Sequence, residues 1–395
     1  MKIISVNAGS SSLKFKVFEM PQGDVLSEGV YERITQALGT FKFSKGDDTV
    51  KGDMALPTHA EAVNDLLRRL LASHVVTSLS EIQGVGHRVV HGGEAFASSV
   101  VINKDVLDAI ASVSDLAPLH NPANMMGIDS FTKALPHAIQ VAVFDTAFHQ
   151  TMKEESFMYA TPYEWYENYK VRKYGFHGTS HLYVSRRAAT LLGKSPEEVN
   201  VIVAHIGNGA SICAVEKGKS VETTMGLTPL AGVPMGTRSG DIDPAIISFI
   251  VDKETKSVDA VLNDLNKNSG FLGVSGVSSD NRDLETAAAE GNHRAALAMT
   301  LQNKAIADTM AQYIAYMKGV DAICFTAGLG ENSSRLRQQV IDRLSFFGVR
   351  IDAHANQVRG VETDLSSPDS KIRVFLIPTN EEWIIAEDTF SFISQ

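Results

Sequence analysis

Two short turns of small residues, in VNAGSSSLKF at 6–15 and HIGNGASICAV at 205–215, hold the residue types that collect anions. Glycine and serine let successive backbone N–H groups converge on one point with no bulky side chain in the way, and convergent N–H groups make a nest for phosphate. Either turn alone also reads as a plain hairpin. Charged groups recur at the ends of apolar runs: Arg88 and His91 in VGHRVVHGGE, Asp145 in VAVFDTAFH, Glu381 and Glu382 in VFLIPTNEEW, while AICFTAGLGEN ends in glycines. In open α/β sheets ligands gather at such strand ends. MGTRSGDIDP offers Arg238 between glycines, and a guanidinium grips oxyanions with two parallel hydrogen bonds where a lysine acts as a point charge. YGFHGTSH carries His177 and His181 four apart, a spacing that puts two imidazoles on one helix face; with Gly178 between them and no third ligand in view, zinc is disfavoured.

The commoner nucleotide and hydrolase signatures fail on spacing. Gly193-Lys194-Ser195 and Gly218-Lys219-Ser220 look like the end of a P-loop, but the glycine required five positions earlier is Ala188 in one and Cys213 in the other. GNGASI and GLGENS lack the third glycine of a dinucleotide fingerprint, and no G-x-S-x-G elbow or H-E-x-x-H helix occurs.

The elements that must carry these groups alternate between strand and helix, which predicts an α/β architecture. THAEAVNDLLRRLL (58–71) opens with Thr58 and Glu61 at capping-box spacing, NPANMMGIDSFTKAL (121–135) with Asn121 as cap and Pro122 at the first helical position, and 294–318 reads as a long helix. IISVNAGSSSLKFKVF (3–18) has an echo in VIVAHIGNGASICAVE (201–216), strand, glycine-rich turn, strand, with Gly9 and Gly207 equivalent, 198 positions apart in a chain of 395. That repeat predicts a duplicated α/β unit with a cleft between the copies. The 36 basic and 46 acidic residues give a net charge of −10, which excludes a broad nucleic-acid or membrane face. Cys213 and Cys324, both inside apolar runs, predict buried thiols and a cytoplasmic protein. No run approaches the roughly 18 apolar residues of a membrane span, and the opening MKIISVNAG is too short for a signal peptide.

In order along the chain, VNAGSSSLKF, GHRVVHGGE, PLHNPAN, VFDTAFH, YGFHGTSH, HIGNGAS, MGLTPL, MGTRSGDIDP, FTAGLGENS and PTNEE resemble the motifs of the acetate kinases, from residue 3 to about 385. The resemblance implies the fold of the actin, sugar-kinase and heat-shock ATPase superfamily: two duplicated actin-like (ribonuclease H-like) domains around an ATP cleft, residues 1–149 with 382–395 and residues 150–381, in a homodimer. It implies Mg2+, with Mn2+ an alternative, held by Asn7 and Glu381. Lys14 and the loop His205, Ile206, Gly207, Asn208 and Gly209 are expected on the nucleotide phosphates. Asp280, Asn281, Arg282 and Asp283, with Gly328, Leu329, Gly330, Glu331 and Asn332, are expected around the rest of ATP or ADP. Arg88 and Arg238 match the carboxylate and phosphoryl clamps, Asp145 the essential acid, His177 the transition-state stabiliser, and Val90, Leu119, Phe176 and Pro229 the pocket for the acyl methyl. Ala327, Ala231 and Lys173 depart from the usual glycine, glutamate and arginine.

The implied reaction is in-line transfer of the ATP γ-phosphoryl group to acetate, giving acetyl phosphate and ADP, reversibly, with propionate a second acceptor. A carboxylate nucleophile is already ionised at neutral pH, so Asp145 is not required as a base and is expected to orient Arg238 or a magnesium-bound water. The rival readings are a sugar or glycerol kinase and a non-catalytic actin-like ATPase; the two clamping arginines argue against both.

Overall fold

Runs rich in Ile, Val and Phe, bounded by glycine and polar turns, form the centre of two sheets. The computed structural model describes residues 1–118 and 120–394, so Leu119 lies outside the described residues. The chain divides into two units, Met1–Gln150 with Asn380–Gln395 and Thr151–Thr379.

The first unit holds β1 (Lys2–Ala8), β2 (Ser12–Glu19), β3 (Asp24–Glu32), β4 (Gly39–Lys45), β5 (Asp48–Met54), β6 (Ile82–Val89), β7 (Val100–Val101) and β8 (Ile139–Phe144), in sheet order β5-β4-β3-β2-β1-β6-β8-β7. The second holds β9 (Asn200–Ile206), β10 (Ala210–Glu216), β11 (Lys219–Thr223), β12 (Ala322–Thr326), β13 (Thr363–Asp364) and β14 (Arg373–Leu376), in order β11-β10-β9-β12-β14-β13. Without β4 and β5 the two orders coincide, and so does the sense of every pairing: two antiparallel hairpins, two parallel crossovers, one antiparallel edge strand. The hairpin echo is therefore the first part of a repeat that runs through the whole sheet. The copies differ by one residue: Ala8 pairs with Leu13, whereas Ile206 pairs with Ala210.

Local chemistry accounts for the helices. His59–Ala72 starts at Thr58 with the capping box to Glu61 and lays Ala62, Val63, Leu66, Leu67 and Leu70 into the first core, against Val6, Leu13, Phe15 and Val17. Helix Asn121–Ala134 begins one residue earlier than the sequence suggests. His120 is the cap, and Asn121, inside the helix, accepts from the His91 amide (3.1 Å) and donates to the His91 carbonyl (3.0 Å). Helix His293–Tyr316 buries Ala298, Met299, Ile306, Met310 and Tyr313. Both cysteines are buried, and burial pushes the Cys213 thiol up to about 12. Among the described residues no helix is long and apolar enough to cross a membrane.

His87 on β6 carries a pH dependence of stability. Its ring is buried, edge-on to Phe131 at 5.6 Å and hydrogen-bonded from Nε2 to Gln140 Oε1 at 2.8 Å. Burial pushes the imidazole pKa down from 6.5 to about 4, against a smaller opposing effect of Gln140. An unfolded chain binds that proton near pH 6.5 and the folded chain near 4, so this stabilisation is complete above 6.5 and is lost as the pH falls toward 4. The loss is on the order of 3 kcal/mol. Denaturant titrations at pH 7 and 4.5 are expected to show a smaller drop in midpoint for His87→Phe than for the parent.

Candidate active site

In the first unit, strand alternation gathers the polar candidates on one face. Asn7 and Lys14 are direct cross-strand partners, Ser5 pairs with Lys16 and, on its other side, with Gly86, and Arg88 follows Gly86 on that same face of β6. Helix Glu381–Ile393 packs on this face: a Cβ on Gly86 would stand 2.3 Å from Thr389 Oγ1 and 2.5 Å from Ile385 Cγ2, so glycine is required for the helix to lie this close. Lys16 Nζ is 3.8 Å from Glu382. Asn7, Arg88 and Asp145 lie at or just beyond the carboxyl ends of parallel strands β1, β6 and β8.

Arg88 and Asp145 form a bidentate pair, Nε to Oδ1 at 2.9 Å and Nη2 to Oδ2 at 2.6 Å, with the carboxylate 1% exposed. Burial disfavours the Arg88 charge, but Asp145, with Glu381 and Glu382 farther off, more than offsets this and raises the guanidinium pKa. The guanidinium that Asp145 holds within the first unit is that of Arg88. Val90 is buried, its amide donating to Asn124 Oδ1 at 3.1 Å. Asn7 and Glu381 offer an amide and a carboxylate oxygen, hard donors that fit Mg2+, an ion that keeps several waters and takes few protein ligands. Among the described residues no group of three His, Cys, Asp or Glu forms a metal cluster.

In the second unit the candidates meet at the end of β9. His177 has left-handed backbone (φ 57°) at the start of helix Gly178–Leu191, and its ring stacks on His205 at 4.0 Å and 16°. The His177 and His181 rings both reach Ser211 Oγ, while His205 Nδ1 lies 2.8 Å from Ser180 Oγ. A Cβ on Gly209 would lie 3.3 Å from Arg238 Nη1 and 3.6 Å from His177 Nε2, so guanidinium and imidazole converge over this glycine. Arg238 donates to the Pro229 carbonyl at 3.1 Å and has no carboxylate partner among the described residues; burial lowers its pKa. Phe176 is buried and Pro229 partly so.

A cavity of about 580 Å3 opens in the same unit, lined by Gly207, Asn208, Asp280, Asn281, Arg282, Gly328, Leu329 and Asn332. The two turns share a useful property. Gly9 N–H is bonded to the Ser12 carbonyl and Gly207 N–H to the Gly209 carbonyl, while no protein acceptor among the described residues takes the amides of Ser10, Ser11, Asn208 or Gly209. Other expected nucleotide residues stand behind the cavity wall. Asp283 accepts from Ser278 Oγ (2.6 Å), Glu331 from the amides of Ala327 (2.8 Å) and Thr379 (3.1 Å), and the Gly330 carbonyl from Arg337 (2.9 Å). Ile206 is buried in the sheet, and Lys14 is exposed on the first unit.

Residues not foreseen complete this cavity. Gly236, from the loop that carries Arg238, leaves room for Asn208, whose Oδ1 would be 2.6 Å from a Cβ there. Phe271 adds an apolar wall and Arg359 an exposed cation. Glu285 ties Asn281 to Ser333. Arg337, fully buried, donates to five oxygens on Gly330, Glu331, Asn356 and Val358, which fixes the turn after β12. Sequence periodicity marks it only as one more charged position on a helix.

The profile of the acetokinase family matches residues 2–387. The chain belongs to the acetokinase family. It is 55% identical over 387 residues to an acetate kinase of Geobacillus sp. (strain WCH70), an alignment that takes in 98% of each chain. Its structure is similar to that of Porphyromonas gingivalis acetate kinase (TM-score 0.95, 44% identity, 99% of each chain). It is also similar to a propionate kinase from Francisella tularensis subsp. tularensis SCHU S4 (TM-score 0.92, 42% identity, 99% of each chain). The departures from the acetokinase pattern have structural correlates. Ala327 adopts φ 63°, a left-handed conformation that favours glycine and costs alanine roughly 1 kcal/mol. Lys173, ion-paired with Glu222, and Ala231 line a second cavity of about 730 Å3, away from the histidine cluster.

Proposed function

We propose that the protein is an acetate kinase, transferring the γ-phosphoryl group of ATP to acetate and running in reverse from acetyl phosphate and ADP. The observation that carries the reading is Arg238, a half-buried guanidinium with no carboxylate partner among the described residues, converging with His177 over Gly209 at the edge of the cavity lined by Gly207. Full-length identity to acetate kinases supports the choice of acceptor.

Two anions must meet, and cations make this feasible. On this reading Arg88, held rigid by Asp145, takes the acetate carboxylate. Arg238 takes the phosphoryl oxygens, and His177 donates to an equatorial oxygen as charge spreads over them. An acetate oxygen forms its bond to the γ-phosphorus as the bond to the bridging oxygen breaks and leaves with ADP. No proton is removed from the acceptor, so no general base is needed. Asn7 and Glu381 would hold Mg2+, which when bound neutralises phosphate charge. The amides at the tips of the two turns, with Lys14, serve the phosphates, and the cavity around Asn281 and Gly328 takes the nucleoside. Val90, Phe176 and Pro229 form the apolar limit on the acyl chain. One methylene in such a pocket changes discrimination by only about 1 to 3 kcal/mol, so propionate is a slower acceptor rather than an excluded one.

Incubation with Mg·ATP and acetate, propionate, butyrate or glycerol, with acyl phosphate trapped by hydroxylamine, tests this. Acetate is expected to give the highest kcat/KM. Glycerol phosphorylation without hydroxamate, or hydrolysis indifferent to every acceptor, would overturn it.

The same reading makes the protein a cytoplasmic homodimer. Helix Ala245–Glu254, AIISFIVDKE, has no buried residue, with Ile246 42% and Phe249 59% exposed, and the neighbouring helix Val258–Lys267 exposes Val258 and Leu262. An apolar helix open on this scale is an interface composition, and a second copy is the proposed occupant. Light scattering is expected to show a dimer for the parent and a monomer for Phe249→Glu.

A further inference from the structure

Ser211 is a buried residue of β10 that pairs across the ladder with His205. Its hydroxyl lies 2.9 Å from Nδ1 of His177 and 2.7 Å from Nε2 of His181. One helix brings both rings there: His177 precedes its first residue and His181 lies within its first turn. A hydroxyl carries one proton, so it donates to only one of the two ring nitrogens. The choice matters because the opposite atom of His177, Nε2, is the one that converges with Arg238 over Gly209. If Ser211 donates to Nδ1, its oxygen accepts the Nε2 proton of His181, and a neutral His177 carries its own proton on Nε2. In the reverse arrangement Nδ1 holds the proton, and Nε2 presents a lone pair where phosphoryl oxygens would stand.

We infer that Ser211, backed by His181, is a positioning residue that holds His177 as the Nε2–H tautomer, so that this ring meets the transferring phosphoryl group as a donor. The inference rests on the acetate kinase reading for its kinetic consequence, and not for the tautomer itself. The stack of His177 on His205 at 4.0 Å fixes the ring plane, and the Ser180 hydroxyl at 2.8 Å from His205 Nδ1 steadies the stack in turn. Ser180 Oγ also lies 2.7 Å from Thr379 Oγ1, beyond the end of β14, so the arrangement is anchored on the sheet as well as on the helix. Outer partners that orient metal-ligating histidines typically contribute a factor of roughly 10 to 100, and the same magnitude is expected of this hydroxyl.

The test has two parts. Nitrogen-15 spectra of the full-length protein labelled at histidine, with the His177 signals assigned by their loss in His177→Gln, are expected to show the Nε2–H form. A proton on Nδ1 alone, or on both nitrogens at the pH of the assay, overturns the inference whether or not any variant folds. In kinetics, Ser211→Ala is expected to lower kcat roughly 10- to 100-fold with KM for ATP and acetate within about threefold, and to shift the His177 signals toward the other tautomer. Ser211→Thr, which keeps the hydroxyl, is expected to recover most of kcat. His181→Phe is expected to lower kcat as Ser211→Ala does, and the double variant to lose little more than either single one. Parent-like kcat in Ser211→Ala, or additive losses in the double variant, would also overturn it. Absence of acyl phosphate formation by the parent would instead sink the acetate kinase reading and leave the tautomer measurement standing.

Discussion

Asp145→Asn is expected to lower kcat/KM for acetate by on the order of 10^2 to 10^3. The two side chains have nearly the same shape, so the change removes charge and one acceptor. In the parent both carboxylate oxygens hold Arg88, through Nε at 2.9 Å and Nη2 at 2.6 Å. An asparagine accepts one of these bonds and turns an N–H2 group toward the other donor. The guanidinium is then left with Glu381 and Glu382 as the charges that favour it, and both stand at the start of helix Glu381–Ile393. Arg88 is therefore expected to swing toward that helix, weakening acetate and metal binding together. Breaking a buried pair also costs stability, typically about 3 to 5 kcal/mol, so thermal unfolding is to be measured beside the kinetics. Undiminished phosphotransfer at saturating Mg·ATP would remove Asp145 from the machinery.

Arg238→Met is expected to abolish measurable transfer, a loss of at least about 10^3 in kcat, and to leave the fold as stable as the parent or more so. The sign follows from the environment. Arg238 is desolvated, its charge is disfavoured by burial, and among the described residues it has no carboxylate to offset this; its partners are the Pro229 carbonyl and, at 3.8 Å, the Met235 sulfur. An unbranched apolar side chain relieves the desolvation and loses one hydrogen bond. Arg238→Lys keeps the charge but not the planar fork, and is expected to recover only a small part of the rate. Loss of activity with rising melting temperature is the outcome that separates a group held ready for substrate from one that holds the protein together. A variant that unfolds would place Arg238 among the structural residues.

What could be read from the chain before its structure was local. The hairpins around Gly9 and Gly207, the Thr58–Glu61 capping box and the buried cysteines each depend on residues close in sequence, and each is found as expected. Partnerships that cross the sheet were not legible. Arg88 and Asp145 meet because β6 and β8 are parallel neighbours, and nothing in either motif names the other. Asn121 has the composition of a cap, yet its amide is drawn into the His91 backbone, a demand that arises only once the helix is docked. Glu331 sits in a glycine-rich stretch that looks made for nucleotide, but two backbone amides take its carboxylate first. Gly236 and Arg337 were invisible for the same reason: what each contacts is folded in from elsewhere in the chain.

The turn of the second hairpin is one residue shorter, so that by pairing Leu13 corresponds to Ala210 and Lys14 to Ser211. The strand faces the same way in both copies: Leu13 and Ala210 are buried, and the places opposite Asn7 and His205 hold a lysine and a hydroxyl. The twin sheets thus present a polar side chain at the same station of the repeat, and their trades differ through its reach, a long flexible cation in one and a short buried hydroxyl in the other.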